Sequence, residues 1–228
     1  MFRINLLVLL FMASCAGGSE QISESRITVG DTLASKPRES FDLKVRKYED
    51  PSRQIWQDPK FVIDALGDLK NLVIADIGSG TGYFTFQMAV PAKKVIAIDI
   101  EQRFLNYIED RKSEMYDRQM VAKIETRLTT PNRPSLKSKE VDVVLMVNTI
   151  AYIKNRKQYL DILKKGINSG GRLVIVDYKL GKMPVGPADV TKVSEDEVKA
   201  ILEESGYIID KVDSHSLQYQ YLIKAHKN

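Results

Sequence analysis

Residues 71–83 read Asn71-Leu72-Val73-Ile74-Ala75-Asp76-Ile77-Gly78-Ser79-Gly80-Thr81-Gly82-Tyr83: an apolar run, an acid, then three glycines at alternate positions. A short apolar run closed by glycine is a buried strand. The glycines permit a tight strand-to-helix turn whose backbone N–H groups can approach a ligand closely. A dinucleotide fingerprint, G-x-G-x-x-G, would place its third glycine at position 83, where this chain has Tyr83. Asp76 precedes the glycines, and a carboxylate there repels a pyrophosphate but attracts an ammonium or sulfonium group. The loop therefore suits a cationic, amino-acid-bearing nucleoside better than NAD.

The next apolar run, residues 94–100, carries Asp99 near its end, where an acid can accept two hydrogen bonds from a ribose diol. The competing reading is local: Asp76 caps the turn that follows it, and Asp99 caps a helix starting at Glu101.

Strand and helix patterns alternate on either side of this pair. Asp58, Pro59 and Gly67 bracket a short capped helix, and a second helix follows the glycine loop from Gly82 to about Ala89. Residues 101–120 read as one helix, and 123–128 as a weaker strand. Residues 140–148 form an apolar strand, and Asn155 caps a helix over 156–167. Ser169-Gly170-Gly171 reads as a turn into the strand 172–178. Ser194-Glu195-Asp196-Glu197 is a capping box for a helix that stops at Gly206, and residues 207–212 and 217–225 close the chain as strands. Near-continuous apolar strands alternating with helices predict an α/β fold: a doubly wound, mostly parallel seven-stranded sheet with helices on both faces. The last two strands are too close in sequence for a parallel crossover, so the final strand is expected to be antiparallel. Ligands bind such sheets at the carboxyl ends of the strands, at the switch point, which places residues 76–82 at the site.

The chain has 228 residues, 43% hydrophobic and 28% charged, which suits one soluble domain and excludes a polytopic membrane protein. Its net charge of +4 comes from interleaved charges, with no basic stripe marking a nucleic-acid surface. One cysteine and two histidines exclude an internal disulfide framework and a Cys/His metal cage, so no metal site is expected.

The N-terminus has its own pattern. Arg3 precedes an uncharged run over 4–13, too short for the about 20 residues a membrane-spanning helix needs and fitting the apolar core of an export signal. Met12-Ala13-Ser14-Cys15 follows, and small residues before a cysteine resemble the lipobox of bacterial lipoproteins. That resemblance implies a signal peptide over 1–14, lipidation of Cys15, a polar tether over 15–40 and a folded domain over 41–228. It also implies a lipid anchor on the extracytoplasmic side of a bacterial envelope membrane.

From about residue 45 to 226 the sequence resembles the class I (Rossmann-like) S-adenosylmethionine-dependent methyltransferases. The resemblance rests on the glycine loop with Asp76 and Asp99. Arg53-Gln54-Ile55-Trp56-Gln57-Asp58-Pro59, Val176-Asp177-Tyr178-Lys179 and Pro184-Val185-Gly186-Pro187 look like one bacterial subgroup. It implies S-adenosylmethionine as cofactor. Asp76 would serve the methionine end, Gly78, Ser79, Gly80, Thr81 and Gly82 the loop, Asp99 the ribose, Ile100 the adenine, and Asn148 the cofactor and acceptor. Two positions depart from the family pattern. Residues 128–134 lack the acid that often binds the adenine amino group, and Thr149-Ile150-Ala151-Tyr152 stands where subgroup members carry histidines.

The reading is a membrane-tethered methyltransferase with a small-molecule acceptor. S-adenosylmethionine is made in the cytosol and is scarce outside it, so the second reading is a catalytically inactive methyltransferase fold serving as a binding module at the envelope. Tyr152, Asp177, Tyr178 and Lys179 lie near strand ends without a partner motif, and no residue is assigned a catalytic role. Trp56 and Gln57 are candidates for a lid over the cofactor.

Overall fold

The computed structural model describes residues 39–227; the expected signal peptide, Cys15 and most of the expected tether lie outside the described residues. Ser40 opens the described fold by accepting a hydrogen bond from the Leu43 N–H, capping α1 (Phe41–Tyr48). One turn of helix, α2 (Arg53–Trp56), and α3 (Pro59–Ala65) follow. The Asp58 side chain caps α3 by accepting from the Phe61 N–H at 3.1 Å, as its sequence predicts.

Seven strands then form one sheet: β1 (Val73–Ile77), β2 (Lys94–Asp99), β3 (Ile124–Leu128), β4 (Val141–Val147), β5 (Ile167–Tyr178), β6 (Tyr207–Asp213) and β7 (Gln220–Lys227). Their order is β3-β2-β1-β4-β5-β7-β6. The first five pair in parallel, and β7 runs antiparallel to both β5 and β6. The chain winds outward from β1 to β3 and then returns to place β4 on the other side of β1. The crevice between β1 and β4 is thus the switch point, and the glycine loop leaves β1 there.

Successive residues of each strand alternate between two buried layers, which is why the strands read as unbroken apolar runs. Ala75, Ile77, Val144, Met146 and Ile175 share one core with α7 (Arg156–Gly166) and α8 (Glu195–Glu204). Ile74, Val95, Val143, Leu145 and Val174 share the other with α3, α4 (Tyr83–Ala89) and Ile108 of α5 (Gln102–Glu114).

Two local expectations are corrected. The helix expected over 101–120 ends at Glu114, and Asp117 starts a separate turn, α6 (Arg118–Val121), by accepting from the Met120 N–H at 2.8 Å. An aspartate that can cap a new helix ends the old one. The turn expected at Ser169-Gly170-Gly171 is instead a bulge inside β5. Val141 pairs with Ile167 and Val143 with Arg172, so residues 168–171 stand opposite Asp142 alone. Asn168 donates to Asp142 at 2.6 Å and pins the bulge.

Candidate functional site

A cleft of about 680 Å³ opens at the carboxyl ends of β1, β2, β4 and β5. It is lined by Asp76, Gly78, Ser79, Gly80, Thr81, Asp99, Ile100 and Asn148, so eight of the nine residues picked from sequence meet in one place. Gly82 is the exception. It caps α4 beneath the loop, its N–H donating to the Ser79 carbonyl at 2.9 Å.

The loop is built for close approach. Gly78 has φ +74°, and a Cβ there would fall 2.3 Å from Thr149 Oγ1, so any other residue would displace the Thr149 side chain just past β4. The Gly78 and Ser79 N–H groups both donate to the Ile98 carbonyl, at 2.8 and 3.1 Å, holding the loop against β2. Ser79 Oγ and Thr81 Oγ1 are buried with no hydrogen-bond partner among the described residues. Buried hydroxyls left unpaired beside a cleft are what a bound polar ligand would satisfy.

The two acids differ in their surroundings. Asp99 accepts from the Gly80 N–H through one oxygen and from the Glu101 N–H through the other, both at 2.9 Å. The capping role considered from sequence is therefore real, yet a carboxylate has about four acceptor positions, so two remain for a diol. Asp76 is 3% exposed, and its one side-chain partner is Thr85, whose hydroxyl donates to it at 2.6 Å. Burial pushes the Asp76 carboxyl up to about 6, Thr85 and Arg53 oppose the shift, and Asp99 adds to it. Burial also raises Asp99, against the pull of its backbone N–H partners. Two anionic side chains in one crevice are most easily kept ionised by a cation bound between them.

Sequence reasoning missed the buried amide chain that ties the N-terminal segment to this cleft. Arg53 is 8% exposed, and its guanidinium stacks 3.9 Å from the Tyr83 ring centroid. Its Nε donates to Gln57 Oε1 at 2.7 Å, Gln57 Nε2 donates to Gln220 Oε1 at 3.2 Å, and Gln220 Nε2 donates to Asn148 Oδ1. Arginine has no acceptor, so it fixes the direction of every later bond and leaves Asn148 presenting its NH₂. Asn148 has φ +54° and lines the cleft. Arg53 lies inside the motif quoted from sequence, but nothing there links it to Gln220. That link comes from β7 pairing next to β5.

The N-terminal segment roofs the cleft. Lys44 pairs with Glu101 at 3.0 Å and Arg111 with Glu49 at 3.2 Å, while Phe41 and Tyr48 pack on Phe104 at 5.1 and 5.3 Å between ring centroids. Trp56 lines the cleft and leans on Tyr178 at 6.0 Å. Gln57 is fully buried and acts in the amide chain instead of facing the cleft. Of the four residues left without a role, Tyr152 and Tyr178 line the cleft. Asp177 is buried, accepts from the Tyr178 and Ala151 N–H groups and is pushed up to about 6 by burial. Lys179 donates to the Leu217 and Gln218 carbonyls. Among the described residues no group of three or more His, Cys, Asp or Glu is placed to hold a metal ion.

The family profile described as a methyltransferase domain matches residues 68–220, two thirds of the chain. The chain belongs to the methyltransferase-domain family. A solved S-adenosylmethionine-dependent methyltransferase of Aquifex aeolicus is 25% identical, with a TM-score of 0.75, and the match covers 84% of this chain and 100% of that one. The ribosomal RNA small subunit methyltransferase A of Staphylococcus carnosus is 27% identical over 131 residues, 53% of this chain and 41% of that protein. The demethylmenaquinone methyltransferase of Tropheryma whipplei is 29% identical over 114 residues, 50% of this chain and 45% of that protein. This member of the family therefore spans less than half the length of the curated relatives it matches.

Proposed function

We propose that the protein is an S-adenosylmethionine-dependent methyltransferase acting on a small molecule and held at a bacterial envelope membrane by lipid on Cys15. One observation carries the enzymatic part. The glycine loop, with two unpaired buried hydroxyls, lies between a buried acid suited to an ammonium group and a second acid suited to a diol. Those are the polar ends of S-adenosylmethionine, and the residues present fit them.

In this reading Asp76 faces the amino group, and Asp99 takes the ribose hydroxyls with its two remaining acceptor positions. Arg53 and the Asn148 NH₂ supply donors for the carboxylate. Bound there, S-adenosylmethionine supplies a methyl group on a positively charged sulfur. The chain supplies orientation and exclusion of water, through the roof of α1 and α2 and the loop carrying Pro184 and Pro187. Holding two reactants in line is worth up to about 7–11 kcal/mol. A small-molecule acceptor is supported by the relative named for demethylmenaquinone and by a cleft volume of about 680 Å³; the relative named for ribosomal RNA makes RNA the competing acceptor class.

Calorimetry tests the reading. S-adenosylmethionine and S-adenosylhomocysteine should both bind with micromolar affinity, and no heat from either would move the assignment to a binding module. The affinity should also depend on pH in one direction. An amino group stays protonated below about pH 7, while Asp76, held near 6, gains a proton as pH falls. Binding a cation requires the ionised acid, so affinity should fall toward about tenfold per unit below pH 6 and level off above 7. A flat profile from pH 5 to 8 would remove Asp76 from the ammonium. Tethering has its own test: the Cys15→Ser chain should leave the membrane fraction for the soluble one, and an unchanged distribution would refute the anchor.

A further inference from the structure

The cleft is walled in part by aromatic rings, with the Tyr48 ring 3.1 Å from where a Cβ on Gly80 would stand. Tyr48, Trp56, Tyr152 and Tyr178 all line it. Tyr178 is 7% exposed, and Trp56 leans on its ring. Gly186 closes the wall: a Cβ there would fall 2.6 Å from the Tyr178 ring, and its φ of +91° lets the loop lie flat on that ring. The hydroxyls of Tyr48, Tyr152 and Tyr178 have no hydrogen-bond partner among the described residues. The proton affinity of all three is raised, at the buried Tyr178 chiefly by desolvation and at the more open Tyr48 and Tyr152 by partial desolvation together with nearby carboxylates, so they stay neutral and offer lone pairs as well as ring faces. Tyr152 raises both of the others, which places the three hydroxyls within electrostatic reach of one another.

The charged groups around these rings set the sign. No imidazole lines the cleft. Asp76 and Asp99 are engaged at the loop, Asp50 accepts from the Ser52 N–H at 2.7 Å, and Glu101 pairs with Lys44 and Arg103. Arg53 is stacked on Tyr83 and Lys44 is paired, which leaves Lys47 at the outer edge of the roof. Glu39 lines the cleft and acts electrostatically on Tyr48 and Tyr152, and the buried Asp177 acts on Tyr152 and Tyr178, so the field at the rings favours a cation. An oxygen or carbon acceptor must give up a proton to a base in hydrogen-bond reach as it is methylated. An amine that has first released its ammonium proton to water needs none during the transfer, and the positive charge it gains is stabilised by aromatic faces.

We propose that Tyr48, Trp56, Tyr152 and Tyr178 form the acceptor chamber of the methyltransferase and that its substrate is an amine, methylated on nitrogen. The inference rests on the methyltransferase reading. The nitrogen lone pair forms the bond to the methyl carbon as that carbon's bond to sulfur breaks. Sulfur keeps the electron pair, and the positive charge passes from sulfur to nitrogen, inside the ring of aromatic faces. A primary or secondary amine then returns a proton to water.

Trp56 is the only tryptophan of the chain, so its fluorescence reports on this chamber. The probe is choline, compared with its uncharged isostere 3,3-dimethylbutan-1-ol, titrated into protein saturated with S-adenosylhomocysteine. Choline should quench Trp56 saturably and bind at least tenfold more tightly than the isostere. Tyr152→Leu, at a position 61% exposed and so neutral for folding, should weaken choline about fivefold or more. Tyr178→Phe should keep most of the affinity, since the ring face is retained. Equal binding of choline and the isostere, absence of saturable quenching, or unchanged affinity in Tyr152→Leu would each overturn the proposal. S-adenosylhomocysteine binding, measured by calorimetry on the same sample, separates the two levels. Failure there refutes the methyltransferase reading; success there with failure of choline refutes only the amine.

Discussion

Asp99→Ala should weaken S-adenosylmethionine binding by 100-fold or more. The expectation follows from counting acceptors. Two of the about four acceptor positions on the Asp99 carboxylate hold the Gly80 and Glu101 N–H groups, and Asp99 lines the cleft, where its remaining positions can serve a diol. Hydrogen bonds to a charged group contribute about 1.5–3 kcal/mol each, and about 1.4 kcal/mol is a factor of ten, so losing two to a ribose diol costs at least a hundredfold. The same change leaves two backbone donors unpaired, at about 1–3 kcal/mol each. It should therefore lower the melting temperature as well, and calorimetry belongs well below the new midpoint. Asp99→Asn keeps one oxygen and separates the two effects: it should retain more of the folding stability while still losing most of the affinity. Unchanged affinity in a folded Asp99→Ala protein would remove the ribose assignment.

The loop and its acid were legible in the sequence because their signals are local. An apolar run before alternate glycines can be little other than a strand entering a tight turn, and an acid near the end of the next parallel strand must arrive beside it. Register makes this concrete: Asp76 stands opposite Ala97, two residues short of Asp99. The antiparallel β7 was legible for the same reason, since a short connection leaves no room for a crossover. What escaped the sequence depends on distant pairing. Nothing within residues 53–57 shows that Gln57 meets Gln220, because that contact exists only after β7 inserts between β5 and β6. The β5 bulge was misread because Ser-Gly-Gly carries the same conformational signal in a turn and in a bulge; which one forms is set by Asp142 on the neighbouring strand, through its bond to Asn168. The helix break near Met115 was missed because the apolar period runs on past it to Met120, while the deciding event is the Asp117 cap.

Gly78→Ala should cost about 3–5 kcal/mol of folding stability, and Thr149→Ala should return a measurable part of it. Two separable terms make up the loss. Alanine at φ +74° carries about 1–2 kcal/mol of left-handed backbone strain, which no neighbour can relieve. The rest is steric. The new methyl would lie 2.3 Å from Thr149 Oγ1 and 2.8 Å from its Cγ2, so Thr149 must rotate. Its hydroxyl now donates toward the Ile77 carbonyl at 3.1 Å and the Val147 carbonyl at 2.9 Å, and rotation gives up that link between the ends of β1 and β4. Thr149→Ala alone loses the same hydroxyl and should cost about 1–2 kcal/mol. The double variant removes the Oγ1 and Cγ2 contacts and keeps Cβ at 3.1 Å, so the clash is largely gone and the backbone strain remains. Urea unfolding of the four proteins should then give a coupling of about 1.5 kcal/mol or more in favour of the double variant. Strict additivity would mean that Gly78 is needed for its backbone angle alone. The coupling, if found, locates the constraint where β1 and β4 part to open the crevice. A side chain at position 78 would then be excluded by the β4 exit itself, whether or not a ligand is bound.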